Sequence, residues 1–172
     1  MAEKGYQQQL FNIALDKKDI VYTPDWLAKE LVDFFKPSGR ILEPCAGDGA
    51  FLKHLPAAAW CEIEKGKDFF LCQEKFDWIF GNPPYKVFNN WLRHSFELAP
   101  NIMYLIPINK IYNDYGMMKD IRNYGGIPKI YVIGRGELAN FPMGYPVGGV
   151  YFKRNYKGGT YETFREDIYK KE

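Results

Sequence analysis

The chain has little histidine and little cysteine. Two His (His54, His94) and three Cys (Cys45, Cys61, Cys72) are scattered through 172 residues, and no C-x-x-C pair occurs. An odd, unspaced set of thiols excludes a disulfide framework, and so few His and Cys exclude a structural zinc site, so no metal is expected. The cysteines read as small buried apolar residues in a reducing, cytoplasmic compartment. Long hydrophobic runs are also missing. The longest, near 102–108, is far short of the roughly 20 residues that span a bilayer, so no membrane partner is expected. The first nine residues, Met1-Ala2-Glu3-Lys4-Gly5-Tyr6-Gln7-Gln8-Gln9, carry no apolar signal core.

Strong charge of one sign is absent too, the formal balance being +2. It is uneven: residues 1–86 hold 11 Lys and Arg against 13 Asp and Glu, and residues 87–172 hold 12 against 8. The second half therefore tolerates a polyanionic partner without requiring one. What the chain does have is 47% hydrophobic residues and an aromatic content of 17%, enough for one packed domain over residues 1–172. Trp26, Phe34, Phe51 and Trp78 are candidates to fill its core.

Strand and helix signals alternate. Scattered apolar residues over Tyr6–Leu15 suggest a short helix. Thr23 as N-cap, Pro24 at the first helical position and Asp25 at the positive end start a helix that Lys36-Pro37-Ser38-Gly39 stops. Strands are expected at Arg40–Glu43, Ala58–Ile63, Phe76–Phe80, Ile102–Pro107, Pro128–Ile133 and Val147–Phe152. Helices are expected from Ala50–Leu55, over Val87–Leu98 and over Met117–Asn123. This order predicts an α/β fold with a mainly parallel sheet, whose ligand loops lie at the carboxyl ends of the strands.

Two such loops carry chemistry. The first, Glu43-Pro44-Cys45-Ala46-Gly47-Asp48-Gly49, lets a ligand approach the backbone because Gly47 and Gly49 have no side chain. Leu52 stands where a dinucleotide loop has its third glycine, and no Gly-Lys-Ser/Thr follows, so a dinucleotide and a triphosphate are both disfavoured. Glu62, at the end of the next strand, can accept both hydroxyl hydrogens of a ribose. Asp68 can accept from an adenine amine, with Phe69 and Phe70 beside it. A nucleoside without phosphates fits best, and S-adenosylmethionine is the leading candidate.

The second loop is Asn82-Pro83-Pro84-Tyr85. An aromatic amine is a weak nucleophile because its lone pair is delocalised into the ring. Two fixed acceptors, the Asn82 side-chain oxygen and the Pro83 carbonyl, can hold its two N–H groups while the nitrogen becomes tetrahedral. The prolines lock φ, so that carbonyl cannot turn away. Tyr85 offers a face on which a planar substrate stacks. No strong base is needed, and alignment and preorganised electrostatics carry the catalysis.

Together these residues resemble the class I S-adenosylmethionine-dependent methyltransferases, and more narrowly the adenine-N6 DNA methyltransferases of the gamma arrangement. Tyr22-Thr23-Pro24, the run Leu42–Leu52, Glu62-Ile63-Glu64, Asp68-Phe69 and Asn82–Tyr85 match that family's motifs in order, over roughly Val21 to Phe152. The resemblance implies a Rossmann-like fold with helices on both faces and an antiparallel C-terminal strand. It implies cofactor contacts from Thr23, Pro24, Glu43, Pro44, Ala46, Gly47, Gly49, Glu62, Ile63, Asp68, Phe69 and Asn82, with Ile63 against the cofactor adenine. Asn82, Pro83, Pro84 and Tyr85 would be catalytic. Gly136-Glu137-Leu138-Ala139-Asn140-Phe141-Pro142 resembles the loop whose Phe stacks on a flipped base opposite Tyr85. The implied substrate is adenine in DNA. RNA bases, a protein glutamine amide and a non-catalytic subunit are the competing readings.

Two departures from that family stand out. Only five residues separate Glu62 from Asp68, too few for the usual helix, so a more open cofactor site and a missing edge strand are expected. Nor is a large target-recognition domain expected in 172 residues, so specificity would come from loops, a partner or self-association. Lys86, Asn89, Asn90, Arg93, Lys110, Lys119 and Arg122 are candidates for contacts to a nucleic-acid backbone.

Overall fold

The computed structural model describes residues 21–141 and 144–166. The helix expected at Tyr6–Leu15, together with Pro142, lies outside the described residues. One seven-stranded sheet organises the rest, built from β1 (Ile41–Glu43), β2 (Ala59–Trp60), β3 (Trp78–Gly81), β4 (Asn101–Pro107), β5 (Gly125–Arg135), β6 (Pro146–Arg154) and β7 (Tyr161–Phe164). Their order across the sheet is β2-β1-β3-β4-β6-β5-β7. Every neighbouring pair is parallel except those of β6, which runs antiparallel to both β4 and β5.

Side-chain alternation on β4 shows how the layers form. Ile102, Tyr104 and Ile106 enter one hydrophobic cluster, while Met103 and Leu105 enter the other. A strand buried on both faces reads as a continuous apolar run, as this one does. On the first face lie α2 (Phe88–Leu98) and α3 (Tyr115–Tyr124), burying Phe88, Trp91, Leu92, Leu98, Met117 and Ile121. The i, i+3, i+4 spacing of the α2 residues is that of a one-sided helix. On the second face lies α1 (Asp25–Phe35), burying Leu27, Ala28, Leu31 and Phe35. Helices thus cover both faces. Gly149 of β6 permits the close approach of α1, because a Cβ there would lie 2.8 Å from the Leu31 and Phe35 side chains.

Four expectations need correction. Pro24, not Thr23, is the N-cap of α1, and no side chain caps it; the Thr23 hydroxyl is engaged elsewhere. The segment 50–55 makes a single hydrogen-bonded turn rather than a helix, closed by Lys53 N–H to the Gly49 carbonyl and Leu55 N–H to that of Phe51. Pro56 stops it, since a residue before proline avoids the helical region. Beyond Phe152 lies a further strand, β7, which pairs with β5 from Lys129–Tyr161 to Val132–Phe164, so the antiparallel β6 is not the last strand. Trp26 is 41% exposed, with the Arg165 guanidinium 4.3 Å from its ring centre, and is not a core residue. Phe51 is buried as expected, whereas Phe34 and Trp78 are half-buried, Trp78 stacking on Tyr151.

At the other margin β2 is only two residues long and is the edge of the sheet. Ile63–Lys65 turns away as a 3-10 helix, Gly66 follows in the left-handed region (φ 75°), and Glu62 pairs back with Lys67. The chain reverses here instead of entering another helix and strand, as the five-residue spacing implied. No helix among the described residues is long and apolar enough to cross a membrane.

Candidate active site

The ends of β1 and β3 carry the two loops, and Gly81 lets them touch: a Cβ there would lie 3.2 Å from the Pro44 ring. The Cys45 thiol spans the junction, donating to the Asn82 carbonyl at 2.9 Å. Burial, and then the charges of Glu43 and Glu62, push that thiol well up, so it remains a donor. In the first loop Gly47 and Gly49 have φ of 52° and 83°, the left-handed conformation that side chains disfavour. The Gly47 N–H donates to Glu62 Oε2 at 2.6 Å, and Glu62 Oε1 accepts from the Glu64 N–H at 3.2 Å. The carboxylate proposed for ribose is thereby aimed at the glycine loop.

An open cleft of about 260 Å³ of empty space, lined by Val21, Tyr22, Thr23, Glu43, Ala46, Gly47 and Asn82 among others, lies between these loops and the start of α1. Glu43 forms part of its floor. Only 2% of that residue is exposed, and its Oε2 has no hydrogen-bond partner. Burial, reinforced by Asp48 and Glu62 nearby, raises its carboxyl to about 9, so it is protonated near neutrality.

Asn82 is held on both sides. Its Nδ2 donates to the Val21 carbonyl at 2.9 Å and to Thr23 Oγ1 at 3.2 Å. A carbonyl can only accept, so this contact fixes which way the amide faces. Its Oδ1 accepts from the Tyr85 hydroxyl, which also lies 3.3 Å from the Leu105 carbonyl. Burial pushes the Tyr85 hydroxyl well up, so it stays protonated and donates. The Tyr85 ring stacks on Phe141 with centroids 5.4 Å apart and planes 23° from parallel. Phe141 is 5% exposed, and Lys110 Nζ donates to the Tyr85 carbonyl at 3.2 Å.

Of the residues singled out in the sequence, Thr23, Glu43, Ala46, Gly47 and Asn82 share the cleft, and Glu62 reaches it through Gly47. Pro24, Pro44, Gly49, Pro83 and Pro84 adjoin it in the chain. Ile63, Asp68 and Phe69 are not among its lining residues. Asp68 caps the turn Phe69–Leu71 by accepting from the Phe70 N–H at 2.9 Å. The Phe69 ring packs in the core against Trp91, centroids 4.5 Å apart, leaving main chain rather than ring on offer. Among the described residues no cluster of His, Cys, Asp or Glu is placed to hold a metal ion.

Sequence reasoning missed Cys45, and it missed Val21 and Thr23 as the anchor of Asn82. The signal available was the amide itself: a partly buried side-chain NH2 carries two donors, each of which needs an acceptor.

No protein-family model matches this chain, and no curated protein matches it in sequence. Solved structures do match. One, from Listeria monocytogenes, is assigned to the class I S-adenosylmethionine-dependent methyltransferases; it is 12% identical with a TM-score of 0.62, over 92% of this chain and 71% of that one. The type I restriction-modification methyltransferase subunit from Streptococcus thermophilus is 13% identical with a TM-score of 0.64, over 88% of this chain. This chain spans about half of that subunit, 49%. Magnesium protoporphyrin IX methyltransferase from Synechocystis, solved with bound S-adenosylmethionine, is 12% identical with a TM-score of 0.54, over 76% of this chain and 79% of that one. With the parallel sheet, its one reversed strand and helices on both faces, these likenesses place the chain in the class I S-adenosylmethionine-dependent methyltransferase fold.

Proposed function

We propose that the protein uses S-adenosylmethionine to methylate the exocyclic N6 amine of adenine in DNA, attacked directly from a base turned out of its stack. The observation that carries this reading is the Asn82 amide, locked by Val21 and Thr23 where the cofactor cleft meets Asn82–Tyr85. The cofactor fits the residues present. Gly47 and Gly49 give backbone clearance, Glu62 presents a carboxylate beside Gly47, and Glu43 Oε2 is a buried oxygen in need of a partner such as an ammonium group. When bound, the cofactor supplies an electrophilic methyl on a sulfonium.

The chain's own residues do the remainder. Asn82 Oδ1 and the Pro83 carbonyl accept the two amine hydrogens and draw the lone pair out of the ring plane. That lone pair forms the new N–C bond as the S–CH3 bond breaks, and its electron pair stays on sulfur. The nitrogen then sheds one proton to solvent, so no buried base is required. Tyr85 and Phe141 hold the two faces of the turned-out base, whose removal from the stack such chemistry needs. Sequence preference would come from the loops around the cleft, a partner chain or a second copy.

The test is incubation with methyl-labelled cofactor and separate pools of DNA, RNA and protein, followed by nucleoside and amino-acid mass spectrometry. Label in N6-methyladenine of DNA is expected. Label in glutamine or in RNA alone would replace this substrate assignment, and no label in any pool would favour a non-catalytic subunit.

A further inference from the structure

The acceptor that would hold the substrate amine is already occupied. Asn82 Oδ1 accepts from the Tyr85 hydroxyl, and the Tyr85 ring lies on Phe141 with 5.4 Å between centroids. A base held between these rings needs two van der Waals separations of about 3.5 Å, about 7 Å in all. The slot for a planar substrate is therefore shut, and the group that shuts it is bonded to the oxygen that the amine must reach. We infer that the Tyr85 hydroxyl is an internal stand-in for the substrate amine, so that Tyr85 is a specificity-determining residue through its hydroxyl as well as its ring. The inference rests on the reading of Asn82 given above.

Three features support an exchange between phenol and substrate. Burial keeps the proton on the Tyr85 hydroxyl, so it donates to Asn82 Oδ1 as an N–H would. The Leu105 carbonyl, 3.3 Å from the same hydroxyl, gives it an acceptor to keep when Asn82 is released. The Pro83 carbonyl is a second acceptor next to Asn82 in the chain, so a ligand with two N–H groups can engage both acceptors where the single phenol hydrogen satisfies one. A planar group with two geminal N–H donors, an aromatic amine or a primary carboxamide, has the hydrogen bonds to displace the phenol. A single-donor ligand exchanges one bond for one, and water has no planar face to stack between the rings.

The closed form lowers apparent affinity by the fraction of molecules in which the slot is open. Removing one hydrogen bond to Asn82 should raise that fraction by about threefold to tenfold, given the usual net contribution of such a bond. The experiment uses the whole chain and Tyr85→Phe, which keeps the ring. The first readout needs no substrate: the NOE between ring protons of residue 85 and Phe141 should be present in the free wild-type protein and weaker in Tyr85→Phe. The second is the Kd, with S-adenosylhomocysteine present, of a short single-stranded adenine-containing oligodeoxynucleotide and of a glutamine-containing peptide. The variant should bind one of them about threefold to tenfold more tightly, and that probe should abolish the wild-type NOE.

Tighter binding of the peptide and not the oligonucleotide would support the inference while overturning the DNA assignment. An absent NOE in the wild type, an NOE unchanged in the variant, or unchanged or weaker binding of both probes would overturn the inference itself.

Discussion

A carboxyl group enclosed beside two other acids is stable only while it keeps its proton. Glu43 is in that position, held at about 9 against an ordinary 4.5 by burial and by Asp48 and Glu62. The folded chain retains a proton there that the unfolded chain gives up above about 4.5, so this contribution to stability is complete below that pH and is lost as pH rises toward 9. Melting temperature should fall between about pH 6 and about pH 9, and Glu43→Gln, which keeps the shape without the ionisation, should flatten the fall. Equal slopes in calorimetry would show that Glu43 is not the group responsible. Asn82→Ala separates the two halves of the site. It removes the proposed amine acceptor, and turnover should drop by at least about a hundredfold, the usual loss for a preorganised polar group. Cofactor Kd, measured by calorimetric titration, should change by less than about tenfold, because Glu43, Gly47 and Glu62 remain. Asn82–Tyr85 was legible in the sequence because an apolar strand followed by an amide and two prolines leaves little else for those residues to do. The Tyr85 hydroxyl on Asn82 was not legible, since it depends on a side-chain torsion that spacing does not encode.

Among the elements, the best contact to probe is α1 against β6. Gly149 leaves no room for a side chain beneath Leu31 and Phe35, so Gly149→Ala should push the helix off the sheet and cost about 1–3 kcal/mol, as overpacking does. Urea unfolding followed by circular dichroism would report it, and a loss below about 0.5 kcal/mol would mean that α1 moves freely on the sheet. β4 and α2 could be read directly from their periodicities, because a strand buried on both faces and a one-sided helix write different patterns. The segment 50–55 could not, because its apolar residues suit one helical turn as well as three, and Pro56 decided the matter. β7 was obscured by the charges around it. Its side chains are all exposed, so the pairing with β5 is made by backbone and leaves no apolar stripe to find. Asp68 and Phe69 are absent from the cleft lining, and they follow the tight reversal at Gly66, a turn whose direction the residue count did not settle.

For the molecule as a whole, a ligand that binds only the folded state raises its stability in proportion to the logarithm of one plus the ratio of its free concentration to its Kd. S-adenosylmethionine at about a hundred times its Kd should add about 2.7 kcal/mol. For a chain of this size that is a rise of roughly 5–10 °C in melting temperature. No shift at saturating cofactor would leave the fold without its expected ligand. One feature of the site also governs how two ligands would treat each other. Val21 and Thr23 line the cleft and, 59 or more residues away in sequence, hold the Asn82 amide proposed to face the substrate. On the proposed reading a single side chain is anchored in one ligand's wall and turned toward the other ligand. Thermodynamic reciprocity then makes the two affinities one quantity: whatever factor bound cofactor adds to the affinity for substrate, bound substrate must add to the affinity for cofactor.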